Sequence, residues 1–292
     1  MSLRHRAEAL GVDAAAAFAR PLPTPGLRRL GAALGSLVGW AGIRARVARD
    51  NLARSFPERS NPEREAILAE HYRELGRVFL EYTQLPRLAS APEVEVVGET
   101  PGIEHLHGVI GKGAILMTGH FSSFELLAAR LARLNPVDVV VRTQRNQEVD
   151  ARIARLRADA GLGTLRAEAE IRRILEALRR GRWIALVADQ DAGRNGSFIP
   201  FLGRPASTTL GPARIALAAR VPIVMGFPTR RHDGRLDLEV EPPMLGDPAR
   251  GEDAALDLTR RHVERLEFWV RRYPAMWFWL HRRWKTRPPL AV

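Results

Sequence analysis

His120 and Glu125 stand five positions apart in the stretch Thr118-Gly119-His120-Phe121-Ser122-Ser123-Phe124-Glu125. A carboxylate bonded to one imidazole nitrogen fixes the tautomer and raises the basicity of the other nitrogen. Such a pair can deprotonate an attacking hydroxyl, and general-base help of this kind is worth roughly 10²–10⁴-fold in rate. The spacing restricts how the two can meet. Five positions on a regular helix diverge by about 140°, so His120 must lie outside the helix and turn back over its N-terminus, with Glu125 in the first turn. A structural reading competes: Ser122-x-x-Glu125 has the form of a capping box, which would occupy Glu125 with a backbone amide.

Other polar residues follow apolar runs in the same way. Arg142 and Asn146 come after VDVVV (137–141), and Asp189 and Gln190 come at the end of WIALVA (183–188). Arginine binds phosphate through two parallel hydrogen bonds, so Arg142 is a candidate phosphate ligand; a salt bridge to Glu148 or Asp150 is its structural alternative. Asp189 and Gln190 are candidates for catalysis or substrate binding, against helix capping and loop bracing, and Asp191 is assigned to bracing. Arg204 closes an apolar, turn-rich stretch at 198–205. Ser207, Thr208 and Thr209 precede a helix at Gly211, where hydroxyls ordinarily cap and free amides also accept an anion.

The elements that must position these residues are readable from periodicity. AILMT (114–118), VDVVV, WIALVA and VPIVMGF (221–227) read as strands, separated by helical stretches near 123–134, 147–160, 168–180 and 211–220. Strands joined by crossover helices predict an α/β domain with a mostly parallel central sheet flanked by helices. In such sheets ligands bind at the carboxyl ends of the strands, where His120, Arg142 and Asp189 all fall. LDLEVE (236–241) reads as a polar edge strand, and a last helix spans about 252–273 with Leu256, Val263, Leu266 and Val270 inward. Asn61-Pro62 opens an amphipathic helix with Leu68, Tyr72, Leu75, Phe79 and Tyr82 on one face. Residues 1–60 form an N-terminal helical, membrane-associating cap, and 61–292 the catalytic domain.

The 292 residues carry 45 basic and 33 acidic side chains, a net +12, and only Lys112 and Lys285 are lysines. Nucleic acid, an anionic membrane surface and a phosphorylated substrate all suit that charge; scattered arginines without a reader motif argue against nucleic acid. Cysteine is absent, which excludes thiolate chemistry. A serine hydrolase would need G-x-S-x-G, and a metal site would need a motif such as H-E-x-x-H. Neither occurs, and no metal is expected. No run reaches the roughly 20 apolar residues that span a bilayer. LRRLGAALGSLVGWAGI (27–43), bracketed by Arg28, Arg29, Arg44, Arg46 and Arg49, fits a helix lying in a membrane interface or one packed on the domain.

His-x4-Asp/Glu after a strand resembles the glycerolipid acyltransferase superfamily. Its surroundings resemble one branch, the late acyltransferases of lipid A biosynthesis. The likeness is carried by Arg49-Asp50-Asn51-Leu52 with Phe56-Pro57, GHFSSFE, VVVRTQRNQEVD (139–150), ADQDAGRNGSFIPFLGRPASTTLGPARIALAA (188–219) and WFWLHRRWKTRP (277–288). The resemblance implies acyl transfer from a thioester, carried by acyl carrier protein or coenzyme A, to a hydroxyl of a lipid acceptor such as a lipid A precursor. A phosphatidylinositol mannoside or another lysolipid is the alternative acceptor, and a non-catalytic membrane-peripheral protein is the alternative class. His120 would be the general base, oriented by Glu125, without a covalent intermediate or a cofactor. Phe198–Pro205 would line the acyl-chain entrance, with Arg204 meeting phosphate. Trp277, Phe278, Trp279 and Trp284, interleaved with Arg282, Arg283 and Lys285, suit a membrane interface, here the cytoplasmic face of the bacterial inner membrane. Core packing of at least two of these tryptophans is expected as well. Relatives usually begin with a transmembrane helix, and this sequence departs from them there.

Overall fold

The computed structural model describes residues 3–91, 101–167 and 171–289. The chain begins with helices α1 (Leu3–Ala19), α2 (Thr24–Trp40), α3 (Ala45–Ser55), α4 (Asn61–Thr83), α5 (Leu85–Ser90) and α6 (Ile103–His107). An alternating series follows: β1 (Ala114–Thr118), α7 (Phe124–Leu131), β2 (Val137–Val141), α8 (Gln147–Asp159), β3 (Gly163–Arg166), α9 (Ile171–Arg179) and β4 (Trp183–Val187). Then come β5 (Ser197–Phe201), β6 (Arg204–Thr208), α10 (Gly211–Ala219), β7 (Ile223–Arg230), β8 (Leu236–Val240) and α11 (Gly251–Arg272).

The six-stranded sheet has the order β3-β2-β4-β1-β7-β8. Strands β3, β2, β4, β1 and β7 are parallel, and β8 closes one edge antiparallel to β7. The α/β class, the parallel sheet and the polar edge strand are thus as the sequence predicts. Of the predicted helix at 168–180, the first three residues lie outside the described residues. Strand β3 and the β5–β6 hairpin are not predicted: GTLR is short and half-exposed, and Pro and Gly in the 198–205 stretch mask the hairpin's alternation. Its Ile199, Phe201 and Leu202 belong to the core.

Two apolar cores cover the sheet faces, one centred on the C-terminal tryptophans and α11, the other on α7. Helix α4 contributes to both, with Leu68 and Tyr72 in one and Leu80 in the other, and α2 packs its glycines on it. A Cβ on Gly35 would come within 1.9 Å of the Tyr72 carbonyl oxygen, and one on Gly76 within 2.0 Å of that of Gly31. Only glycine allows the two backbones so close. The opposite face of α2 stays bare, with Leu37 and Trp40 62% and 89% exposed.

The tryptophan-rich close corrects the interfacial reading. Trp277 and Trp279 are fully buried, and Trp284 and Arg283 nearly so. Two of the side chains bond inside: Trp279 Nε1 donates to the Pro274 carbonyl at 2.6 Å, and Arg283 donates to Ser207 O and, at 2.6 Å, to Thr208 Oγ1. Asn51, from the R-D-N-L motif, pins this segment by donating to the carbonyls of Trp279 and His281 at 2.9 and 2.8 Å.

Candidate functional site

His120 emerges from the C-terminal end of β1 and is held from both sides. Its backbone N–H donates to Asp189 Oδ2 at 2.7 Å, and its carbonyl accepts from Phe278 N at 3.0 Å. Ser122 N donates to the Met276 carbonyl at 2.8 Å, and Phe121 bridges Trp277. Gly119 is required by this packing, since a Cβ there would lie 2.9 Å from Asp189 Oδ2 and 2.8 Å from Leu266.

The carboxylate on the His120 ring is Asp189. Its Oδ1 lies 2.6 Å from His120 Nδ1, and Trp277 Nε1 donates to its Oδ2 at 2.7 Å. Burial would push the Asp189 carboxyl up, but the charge of His120 and hydrogen bonds from His120 and Trp277 hold it near about 2. Asp189 is therefore ionised at neutral pH and can only accept, so Nδ1 carries the proton and Nε2 keeps its lone pair. Burial would lower the His120 pKa; the charge and hydrogen bond of Asp189, and the charge of Glu125, raise it overall. Gln190 Nε2 stands 3.4 Å from His120 Nε2.

Glu125 does not bond to His120 within the described residues. It sits in the first turn of α7, as predicted, but accepts both arms of Arg157 on α8, at 2.8 and 2.6 Å. The capping box does not form either: no side chain caps α7, Ser122 Oγ donates to Glu74 Oε1 at 2.6 Å, and Ser123 Oγ donates to Glu81. The sequence reading placed the orienting carboxylate locally because spacing reveals only local partners. The pairing of β1 with β4 brings Asp189 to the ring instead.

His120, Glu125, Arg142, Arg157 and Gln190 all line one cavity of about 890 Å³. Behind this polar mouth the wall is apolar, with Leu126, Leu127, Leu131, Leu116, Val139 and Ile174 among its residues. A few convergent polar groups on an apolar cavity of this size are the pattern of a small-molecule site. Arg142 is exposed, and neither predicted salt bridge forms: Asp150 pairs with Arg166 at 2.7 Å and Glu148 with Arg152 at 3.7 Å.

The remaining candidates stand elsewhere. Asn146 caps α8, accepting from Glu148 N and Val149 N and donating to the His5 carbonyl. Arg204 is outside the cavity lining, stacked 4.2 Å over the Trp284 ring. Ser207 Oγ donates to the Gly193 carbonyl at 2.6 Å, and Thr208 Oγ1 to that of Ala206 at 2.9 Å; neither lines the cavity. None of residues 198–205 lines the cavity, and Ile199, Phe201 and Leu202 of that stretch pack into the core. Asp191 braces, accepting from Gly193 N and Thr286 Oγ1 at 3.2 and 2.9 Å. Among the described residues no cluster of acidic and histidine side chains could hold a metal ion.

A parallel α/β layer with an oriented imidazole on a largely apolar cavity suits an enzyme acting on an acyl chain. Comparison with known proteins gives the family. The model for bacterial lipid A biosynthesis acyltransferases matches residues 2–286, and the chain belongs to that family. It is 31% identical to the lipid A biosynthesis lauroyltransferase of Escherichia coli, over 91% of this chain and 88% of that one. It is 30% identical to the palmitoleoyltransferase of the same organism, over 91% and 87%. The phosphatidylinositol mannoside acyltransferase of Mycobacterium tuberculosis is 25% identical over 84% and 86%. The chain is an acyltransferase.

Proposed function

We propose that this enzyme moves a fatty acyl group from a thioester to a hydroxyl of a lipid A precursor, with His120 as general base. The observation that carries the reading is the His120 ring, held by Asp189 and facing the mouth of the apolar cavity. The acyl chain lies in the cavity, where each buried methylene is worth about 0.8 kcal/mol. His120 Nε2 takes the proton of the acceptor hydroxyl as its oxygen attacks the thioester carbonyl. Collapse of the tetrahedral intermediate breaks the carbon–sulfur bond, and the imidazolium returns its proton to the leaving thiolate. Glu125, fixed by Arg157, adds negative charge near the imidazolium, and Gln190 supplies amide donors beside the reacting atoms. Arg142 grips phosphate at the mouth.

Acyl carrier protein is the proposed donor, since an acidic carrier suits a chain of net +12. The proposed location is the cytoplasmic face of the inner membrane. No described helix is long and apolar enough to cross a membrane, and the bare face of α2 with the exposed Arg29, Arg44 and Arg46 beside it suits peripheral contact; Arg28 is buried against Glu81. Purified protein given acyl carrier protein or coenzyme A thioesters and a lipid A precursor should form an ester product by mass spectrometry. Product on phosphatidylinositol mannoside alone would refute the acceptor assignment, and none on any hydroxyl acceptor would refute the reading.

A further inference from the structure

Helix α4 and the end of β7 build a buried ionic network beneath the His120 loop that no sequence motif announces. Arg230 Nε lies 2.7 Å from Glu74 Oε2, and its Nη1 and Nη2 lie 2.9 and 2.8 Å from the two oxygens of Glu81. Arg28 Nε, from α2, joins at 2.7 Å from Glu81 Oε1. All four side chains are at least nine-tenths buried. Buried ion pairs are a poor way to stabilise a fold, because apolar residues of the same volume often do as well or better. Their use has to be sought in geometry.

The geometry leads to the catalytic loop. The two carboxylates accept from consecutive hydroxyls, Ser122 to Glu74 and Ser123 to Glu81, and Arg230 Nη2 also reaches Ser123 Oγ at 3.3 Å. Ser122 has φ of 44°, a left-handed backbone that a non-glycine residue keeps only when its surroundings hold it there. Its amide is pinned to Met276 on the other side. The chain thus turns sharply between His120 and α7, and both turning residues are tied by their side chains to the network.

We infer that Glu74, Glu81 and Arg230 are positioning residues, which clamp Ser122 and Ser123 so that the His120 ring keeps its bond to Asp189. This rests on the reading of His120 as general base. Glu81 and Ser123 also border the cavity, but among the described residues none of Glu74, Glu81 and Arg230 bonds to the His120 ring; the network acts through the turn.

Ser122→Ala and Ser123→Ala, singly and together, test this while leaving every charge of the network paired. The double serine variant should keep its melting temperature to within a few degrees and its KM within about twofold, and lose roughly tenfold or more in kcat, as expected for a misplaced reacting group. The acid limb of its pH–rate profile should move to lower pH, as the bond between His120 and Asp189 loosens. The titratable groups facing that ring are Asp189, Glu125 and His281, and none is altered. Glu81→Gln should repeat the kcat loss, and its combination with Ser123→Ala should cost much less than the product of the two. Should Glu81→Gln not fold, the serine variants decide alone. Unchanged kcat and acid limb in the double serine variant, beside an inactive His120→Ala, would overturn the inference only. Activity in a folded His120→Ala would overturn the reading beneath it.

Discussion

Nδ1 of His120 and Oδ1 of Asp189 lie 2.6 Å apart, although 69 residues separate them in the chain. The contact sets tautomer and basicity together. It predicts that His120→Ala abolishes acyl transfer in a folded protein and that Asp189→Asn lowers kcat by at least about 10²-fold. The pH profile gives a second check. Because Asp189 raises the His120 pKa, the rate should climb with pH through a value above the usual imidazole pKa near 6.5. In Asp189→Asn burial dominates, and the limb should move below that value. Steady-state kinetics between pH 5 and 9 on both proteins would decide, and an unmoved limb would count against the pair.

Arg142 and Arg204, alike in sequence context, should part in behaviour. Arg142 lines the cavity mouth, so Arg142→Lys should raise KM and lower kcat/KM by the equivalent of roughly 1.5–3 kcal/mol, a charged hydrogen bond lost. Arg204 stacks on Trp284 away from the cavity. Arg204→Lys should lower the melting temperature, at about 0.5–2 kcal/mol for the cation–π contact, and leave kcat/KM unchanged. Kinetics beside a melting curve for each variant separates the two; a kinetic defect in Arg204→Lys would return it to the substrate site.

The contrast shows what a sequence can carry. Strand-helix alternation is local, so AILMT, VDVVV and WIALVA were legible as strands, and their carboxyl ends located His120, Arg142 and Asp189 on one edge. Which carboxylate meets the imidazole depends on strand order, and β4 beside β1 is not a local property. The same holds for Glu74 and Glu81, which sit in a helix whose apolar spacing drew attention to other faces. The tryptophans misled for a different reason: interleaved arginines mark an interface only when exposed, and Arg283 turns inward to the β6 backbone and the Thr208 hydroxyl. The β5–β6 hairpin was hidden because its prolines and glycine are also the marks of a loop.

Two buried histidines predict an acid-sensitive fold. Burial pushes His262 down to about 3 and His71 to about 4. Below an unfolded pKa near 6.5 the unfolded chain takes up protons that the folded chain refuses, so stability falls as pH drops towards the folded values. The loss is on the order of 3 kcal/mol per histidine by pH 4. His120, raised rather than lowered, offsets a small part of it. Glu81, held near about 2, gives up its own contribution as pH falls from about 4.5 towards that value. His262→Leu should flatten the decline in thermal or urea stability between pH 7 and 4; an equally steep decline would mean that another group titrates there.

The last prediction concerns membrane attachment, which rests on the two faces of α2. One face is committed to α4 through glycines that leave no room for a Cβ, so the helix cannot turn over to hide its apolar side. The other presents Leu34, Leu37, Val38 and Trp40, with Ile43 just beyond, to solvent. Apolar side chains on a rigid helix beside arginines are suited to the headgroup boundary of an anionic membrane, where each basic residue adds about 1 kcal/mol. Attachment of this kind has an electrostatic part, which salt screens, and an apolar part, which it does not. The protein should therefore sediment with vesicles containing anionic lipid, and high salt should release a substantial fraction. Leu37→Ser with Trp40→Ser should weaken sedimentation even at low salt, and the melting temperature should hold because neither side chain is buried. Binding unaffected by both substitutions would place the membrane contact on another surface. Full retention through high-salt and carbonate washes would mean integral insertion instead of peripheral contact.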